Sequence, residues 1–404
     1  MKSESRFIEK LIVLIIVSSI FFPRIPIGLE IRFDDILALL LLPFIILTRP
    51  NFKINRLLVF YLLILISFSI STIHGYVFLH VPFSFRDINE LFRIFKPFLI
   101  IIAIGYCNLQ TLSSYLNSIF KIGAVLLIGL GFVEFFDILN FRSLFYTLYG
   151  FEHDNSANRI FLTAGNPNIA AALVLYYMIY LLQKVLLTGD RIVSISKILF
   201  LLLVLLMTSS RTAVVVFVVV LLASLYFHRK RNKFLSITII FLCIVLAFPL
   251  LRYFDYLTLG FISFSEGTNN SMLLRYQQWS EAIKLFYQSP ILGWGPAKDL
   301  HTSIVDNEYF LLLRRYGIIG CALVINFLFS YIFVFMKHKK EIDNLDIRTK
   351  SIAYTSLLSL LMVAIIMITN NFFSGYQLMP LYVVMIAITE GSFKQLVKEK
   401  TANG

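Results

Sequence analysis

The chain has 404 residues, 58% of them hydrophobic, with 36 Lys and Arg against 23 Asp and Glu. Its mean hydropathy of +0.82 excludes an ordinary soluble domain, because runs of about 20 apolar residues mean membrane helices. The net charge of +13 does not point to nucleic acid: the basic residues fall in short runs between apolar segments, which is a topology signal.

The first stretch, "MKSESRFIEKLIVLIIVSSIFFPRIP", is built like a signal peptide, basic and then apolar. It lacks a small-x-small cleavage site and eleven more apolar segments follow, so it reads as a retained first helix. The fold class is an all-α integral membrane protein, a single polytopic domain over 1–404. About twelve transmembrane helices are predicted, near 8–23, 34–48, 56–73, 88–107, 119–138, 167–187, 194–210, 212–227, 234–251, 316–336, 351–370 and 378–393. Cys107, Cys243 and Cys321 each fall within a predicted helix, with no disulfide framework or zinc spacing.

The linkers alternate in charge. One alternate set carries 22 of the 36 Lys and Arg, among them Lys2, Arg56, Lys197, Arg229, Lys339 and Lys398. The positive-inside rule makes that set cytoplasmic and puts both termini inside.

The second helix opens on Asp34 and Asp35. Paired outer carboxylates can hold a metal, but two aspartates at a helix start read first as a cap favourable to the dipole, and no metal is expected. In the fourth helix, Pro97 to Cys107 is too short to span alone, so the helix must include Ile88 to Lys96. Arg86, Arg93 and Lys96 then share one face with Glu90, which can pair with Arg93. Intramembrane charges usually face a cavity, so Arg93 and Lys96 are candidate anion ligands. Further on, Gly165-Asn166-Pro167-Asn168 reads as a turn and N-cap opening the sixth helix, with Asn166 and Asn168 as candidate substrate contacts.

"LLMTSSRTAVVVFVVVLL" (205–222) raises a sharper question. Read as one helix, Ile198 to Phe227 would run roughly 45 Å at 1.5 Å per residue. That is too long for a hydrocarbon core of about 30 Å. It would also put two basic linkers on opposite sides. Two short helices keep both linkers inside and place Arg211 at the outer tip, facing protein or a water-filled cavity.

The longest outer loop covers 252–305. Within it Met272, Tyr276, Trp279, Ile283 and Phe286 recur at helical spacing, with Arg275 beside the stripe. That helix must end before Pro290, and Gly293-Trp294-Gly295-Pro296 makes a tight turn. The next helix begins near Asp306, in "DNEYFLLLRRYGIIG", with Asp306 as its expected N-cap.

"SSRTA", "RYQQWSEAI…SPILGWGP" and "DNEYFLLLRRYGIIG", with "TAGNPNIAAALV" upstream, resemble the O-antigen ligase and polymerase superfamily. The likeness runs from about Leu162 to Gly320. It implies a membrane enzyme that transfers glycans from polyprenyl-diphosphate carriers on the outer face of the bacterial inner membrane, with the active site facing the periplasm. The resemblance gives Arg211 and Arg275 to the diphosphate, a role suited to a fixed planar cation. Charge on the leaving diphosphate grows in the transition state, so fixed cations there are catalytic. Arg93, Lys96, Asn307, Arg314, Asn166 and Asn168 are candidate substrate-binding residues.

Ligases of the superfamily carry a histidine just before the asparagine, as the base that activates the acceptor hydroxyl. Asp306 stands there in this chain, which leans towards a polymerase and leaves the base open between Asp306 and His301. The expected reaction is a metal-independent, inverting glycosyl transfer without a cofactor. Its partners are polyprenyl-diphosphate-linked glycans and membrane lipid, with a chain-length regulator and a flippase as possible protein partners. The alternatives are an O-antigen ligase acting on lipid A-core and a flippase for the same lipid, although a flippase needs its charges at mid-membrane.

Overall fold

The computed structural model describes residues 2–23, 25, 31–47, 55–149, 159–188, 192–228, 270–302, 305–373, 375 and 377–403, with isolated positions 241, 259, 262 and 263. The helices are α1 (Lys2–Phe21), α2 (Phe33–Leu39), α3 (Leu41–Leu47), α4 (Arg56–Phe78), α5 (Phe85–Ile104), α6 (Leu109–Phe135), α7 (Phe141–Tyr149) and α8 (Pro167–Thr188). They continue with α9 (Ile192–Met207), α10 (Arg211–His228), α11 (Asn270–Gln288), α12 (Glu308–Lys337), α13 (Lys339–Asp343), α14 (Ile347–Ile366) and α15 (Met379–Asn403). Among the described residues α4, α6, α8, α10, α12 and α14 are long and apolar enough to cross a membrane, and Val193–Met207 is a shorter apolar helix. The chain is a multi-pass helical membrane protein.

The expectation of about twelve spans is met in part. Helices form at eleven of the twelve predicted places; the segment 234–251 and the first part of the loop 252–305 lie outside the described residues, apart from isolated positions. The predicted helix at 34–48 divides into α2 and α3, of 7 residues each. Pro43 explains the division: it has no N–H, and its ring crowds the carbonyl four residues back, at Leu39, where α2 ends. Neither half, at about 1.5 Å per residue, is long enough to span. By contrast, the hairpin argued from length is present: α9 stops at Met207 and α10 starts at Arg211.

The chain divides into two compact units. The first comprises 1–112, 270–339 and 367–404, the second 113–269 and 340–366. In the first, α4 packs on α5 and α12, α11 on α12, and α5 on α15 and α2. In the second, α8 is the central helix, in contact with α9, α10 and α14; its apolar window is 89% buried. A helix apolar all round is one that is covered all round, and Tyr176, Tyr177 and Tyr180 of α8 are fully buried.

The first unit also holds a buried charge network. Lys96 of α5 is fully buried, with its ammonium on Asp34 and, at 2.8 Å, on Asp35 of α2. Arg32 pairs with Asp34 at 3.1 Å and donates to the carbonyls of Ser19 and Phe22. Two cations thus meet two carboxylates, the arrangement that makes buried charge tolerable. The aspartates do help to start α2, since Asp35 accepts from the Arg32 N–H at 3.0 Å.

Candidate functional site

In the first unit the site is built by a helix, a turn and a second helix. α11 carries the predicted stripe: Trp279 packs against Phe310, and Ala282, Val305 and Leu311 form a small buried cluster beneath them. The chain then turns at Gly293-Trp294-Gly295 and runs to α12. That turn is seated on a break in α12. Gly317 has φ 61° and ψ −166°, which interrupts the helix and releases polar groups on both sides of it. Trp294 N–H donates to the Arg314 carbonyl at 3.0 Å, Gly295 N–H to the Arg315 carbonyl at 2.7 Å, and Ile318 N–H to the Pro290 carbonyl at 2.8 Å. A side chain at Gly317 would collide with the Ile291 backbone, and one at Gly293 with the Arg315 backbone; both glycines also have positive φ, as the geometry requires.

This seating fixes the approach to α12. Asn307 is its N-cap: its Oδ1 accepts from Phe310 N–H at 3.1 Å, and its Nδ2 donates to the Ile368 carbonyl at 2.9 Å. The cap is therefore one residue later than expected, and Asp306 is released from capping. Asp306 instead faces Arg275, with 3.9 Å between Oδ2 and Nε. Two residues picked out of the sequence separately are thus brought together. Burial raises the Asp306 pKa above the usual carboxylate range, and the Arg275 charge opposes the rise. His301 stacks edge-on against Trp294, with ring centroids 4.9 Å apart. Its Nε2 is buried without a hydrogen-bond partner. Burial, with the Arg314 charge adding to it, lowers its pKa. Arg314 is itself almost fully buried.

Beside the turn, one carboxylate gathers three cations. Glu90 of α5 meets Lys298 at 2.7 Å, Arg315 at 3.0 Å and Arg93 at 3.4 Å. Asp87 accepts from Lys298 N–H at 3.0 Å, and Arg86 pairs with Asp299 at 3.3 Å. The loop after the turn is thereby tied to the start of α5. Arg86, Arg93 and Lys96, which share a helix face, each take a different acidic partner.

The second unit holds Arg211, the first residue of α10. The turn before it contains Ser209 at φ 54°, a left-handed conformation uncommon for serine. The segment 159–168 runs alongside. Ile160 N–H donates to the Met207 carbonyl at 3.2 Å and Arg159 Nε to the Thr208 carbonyl at 3.0 Å. Asn168 Oδ1 accepts from Ser210 Oγ at 2.7 Å and from Arg159 Nη2 at 3.4 Å. Asn166 Oδ1 accepts from Asn168 N–H at 2.8 Å, so the first asparagine of the Asn-Pro-Asn motif starts α8 and the second reaches the Arg211 turn.

Arg159, Lys298 and the gathering role of Glu90 were not visible in the sequence. Their partners lie far along the chain, and no spacing rule links them. Among the described residues no group of three His, Cys, Asp or Glu side chains has the geometry to hold a metal ion.

In this multi-pass helical membrane protein one arginine, Arg275, lies beside the Asp306 carboxylate just before α12. Residues 197–325 match the family model described as O-antigen ligase, a match over part of the chain that is consistent with the O-antigen ligase and polymerase superfamily. The match includes Arg211, Arg275, His301, Asp306, Asn307 and Arg314, and leaves Arg93, Lys96, Asn166 and Asn168 outside it. No curated protein matches the chain.

Proposed function

We propose that the protein is a polysaccharide polymerase of the O-antigen or capsule type, working on the outer face of the bacterial inner membrane. The observation that carries this reading is the approach of Asp306 to Arg275 at 3.9 Å, within the segment that matches the O-antigen ligase family. A proton acceptor lies beside a fixed cation, the pairing that glycosyl transfer from a diphosphate needs.

In this reading the donor is a growing glycan on polyprenyl diphosphate and the acceptor is a repeat unit on the same kind of carrier. The acceptor oxygen attacks the donor anomeric carbon, and the bond from that carbon to the diphosphate oxygen breaks. The diphosphate leaves with the bonding pair, and the hydroxyl proton passes to the Asp306 carboxylate. A single displacement inverts the configuration. Arg275 is assigned to the departing diphosphate, as is Arg211 from the family resemblance, and these arginines supply the positive charge that a metal ion supplies in other transferases. Asn307 and Lys96 serve the scaffold in this account, through the α12 cap and the buried ion network.

The family description favours a second reading, an O-antigen ligase whose acceptor is lipid A-core. Incubating the purified protein with a lipid-linked repeat unit, with and without lipid A-core, separates the two. A ladder of longer glycans on the carrier supports the polymerase, and transfer to lipid A-core alone supports the ligase. No new glycosidic bond in either mixture sinks both and leaves transport of the same lipid as the reading to pursue.

A further inference from the structure

We propose that Asn168 and Arg159 are positioning residues that set the direction of Arg211, an inference that rests on the assignment of Arg211 to glycosyl transfer. Asn168 Oδ1 is the shared acceptor: Ser210, the neighbour of Arg211, and Arg159 both donate to it. Arg159 in turn holds the Thr208 carbonyl through Nε, so one oxygen and one guanidinium fasten both sides of Ser209. The latch has its own anchor. Glu134 of α6 is fully buried, and its two oxygens accept from Phe161 N–H at 2.7 Å and Leu162 N–H at 2.8 Å. That fixes the segment that carries Arg159.

The conformation of Ser209 is what this fastening maintains. A non-glycine residue stays in the left-handed region only where its surroundings over-determine it. Here they do so two residues before the start of α10, where the chain changes direction and Arg211 emerges. A cation that stabilises charge developing on a leaving group must be held in place before the reaction. The arrangement also divides the labour of the Asn-Pro-Asn motif. Asn166 supplies the cap, Pro167 the first helical position, and Asn168 an acceptor oxygen aimed away from its own helix.

The test uses the purified full-length protein and two readouts. Hydrogen exchange of the amides at 208–212 is measured without substrate, and turnover is measured with a lipid-linked repeat unit. Asn168→Ala should speed exchange there by at least about tenfold. It should lower kcat about 10- to 100-fold while KM stays within about threefold. Asn168→Asp keeps an acceptor oxygen opposite Arg159 and should restore most of both. The double variant with Arg211→Ala should be no slower than Arg211→Ala alone, because the two act as one unit. Should Asn168→Ala fail to accumulate, Ser210→Ala removes one donor to the same oxygen and should move exchange and kcat in the same direction. Unchanged exchange in these variants overturns the latch whatever the activity. An Asp variant as damaged as Ala also overturns it, because the amide nitrogen would then be meeting substrate. A fully active Arg211→Ala variant overturns the reading beneath the proposal, and the exchange data keep that failure distinct from failure of the latch.

Discussion

Asp306 stands 3.9 Å from Arg275, with its side chain 37% exposed and that of the arginine 16% exposed. An ion pair so placed contributes only about 0–1 kcal/mol to stability, so its loss should leave the fold nearly as stable. Because Asn307 caps α12, Asp306 can be altered without removing the cap. Asp306→Asn should lower transfer at least about 100-fold, the scale of general-base assistance, with the melting temperature in detergent unchanged. Asn307→Ala should do the converse, costing about 1–2 kcal/mol as a lost cap, read as a lower melting temperature.

The pH profile tests the same carboxylate. Asp306 acts as a base only when deprotonated, so kcat/KM should fall as pH drops through its pKa. Burial lifts that pKa, so the acid limb should lie above the ordinary value of about 3.9. Arg275 opposes the lift, so Arg275→Gln should move the limb in the residual activity to higher pH. The pKa of His301 is shifted downward, towards the Asp306 range, so the position of the limb alone does not separate the two groups. The response to Arg275→Gln does: a limb that stays put assigns the base to His301.

Arg211→Ala should abolish polymer while single repeat units accumulate on the carrier, seen by gel and by mass spectrometry of extracted lipid. Lys should rescue in part, since a point charge cannot reproduce a planar fork. Full-length polymer from Arg211→Ala cells at normal protein level would rule out the diphosphate role.

The seating of the turn on α12 predicts a backbone effect. Gly317→Ala must hold alanine at positive φ against the Ile291 backbone. It should destabilise by at least about 1–3 kcal/mol, measured as a loss of melting temperature. A variant as stable as the parent would mean that α12 is unbroken there.

Sidedness is tested in a background without native cysteines. Tyr287, 74% exposed on α11, should react as Tyr287→Cys with an impermeant thiol reagent added from outside. Asn344→Cys, in the basic linker after α13, should not. The reverse pattern would invert the topology.

What could be read from the sequence was what is local or set by length. The break between Met207 and Arg211 followed from comparing 30 residues with a bilayer, and the stripe of α11 from its period. The N-cap at 306 was off by one because Asp and Asn are about equally good caps, and only the Ile368 carbonyl and the Phe310 amide decide between them. The break at Gly317 was hidden, since "RRYGIIG" reads as continuous helix and a lone glycine is tolerated there. Lys96 was placed in the correct helix, but its partners are about 60 positions away. The Arg159 contact with Thr208, across 49 positions, was equally beyond any window.

Asn307 donates to Ile368, the Glu308 N–H donates to the Met367 carbonyl, and the Glu308 carboxylate accepts from Phe373 N–H at 2.9 Å. All three partners lie beyond residue 325, where the family match stops. A chimera that grafts 197–325 onto a related enzyme would carry Arg275 and Asp306 but leave behind the strand of chain on which α12 rests. Exchange of specificity between relatives therefore calls for moving 367–373 together with the graft, and a epitope inserted in that short stretch should silence the enzyme from a distance.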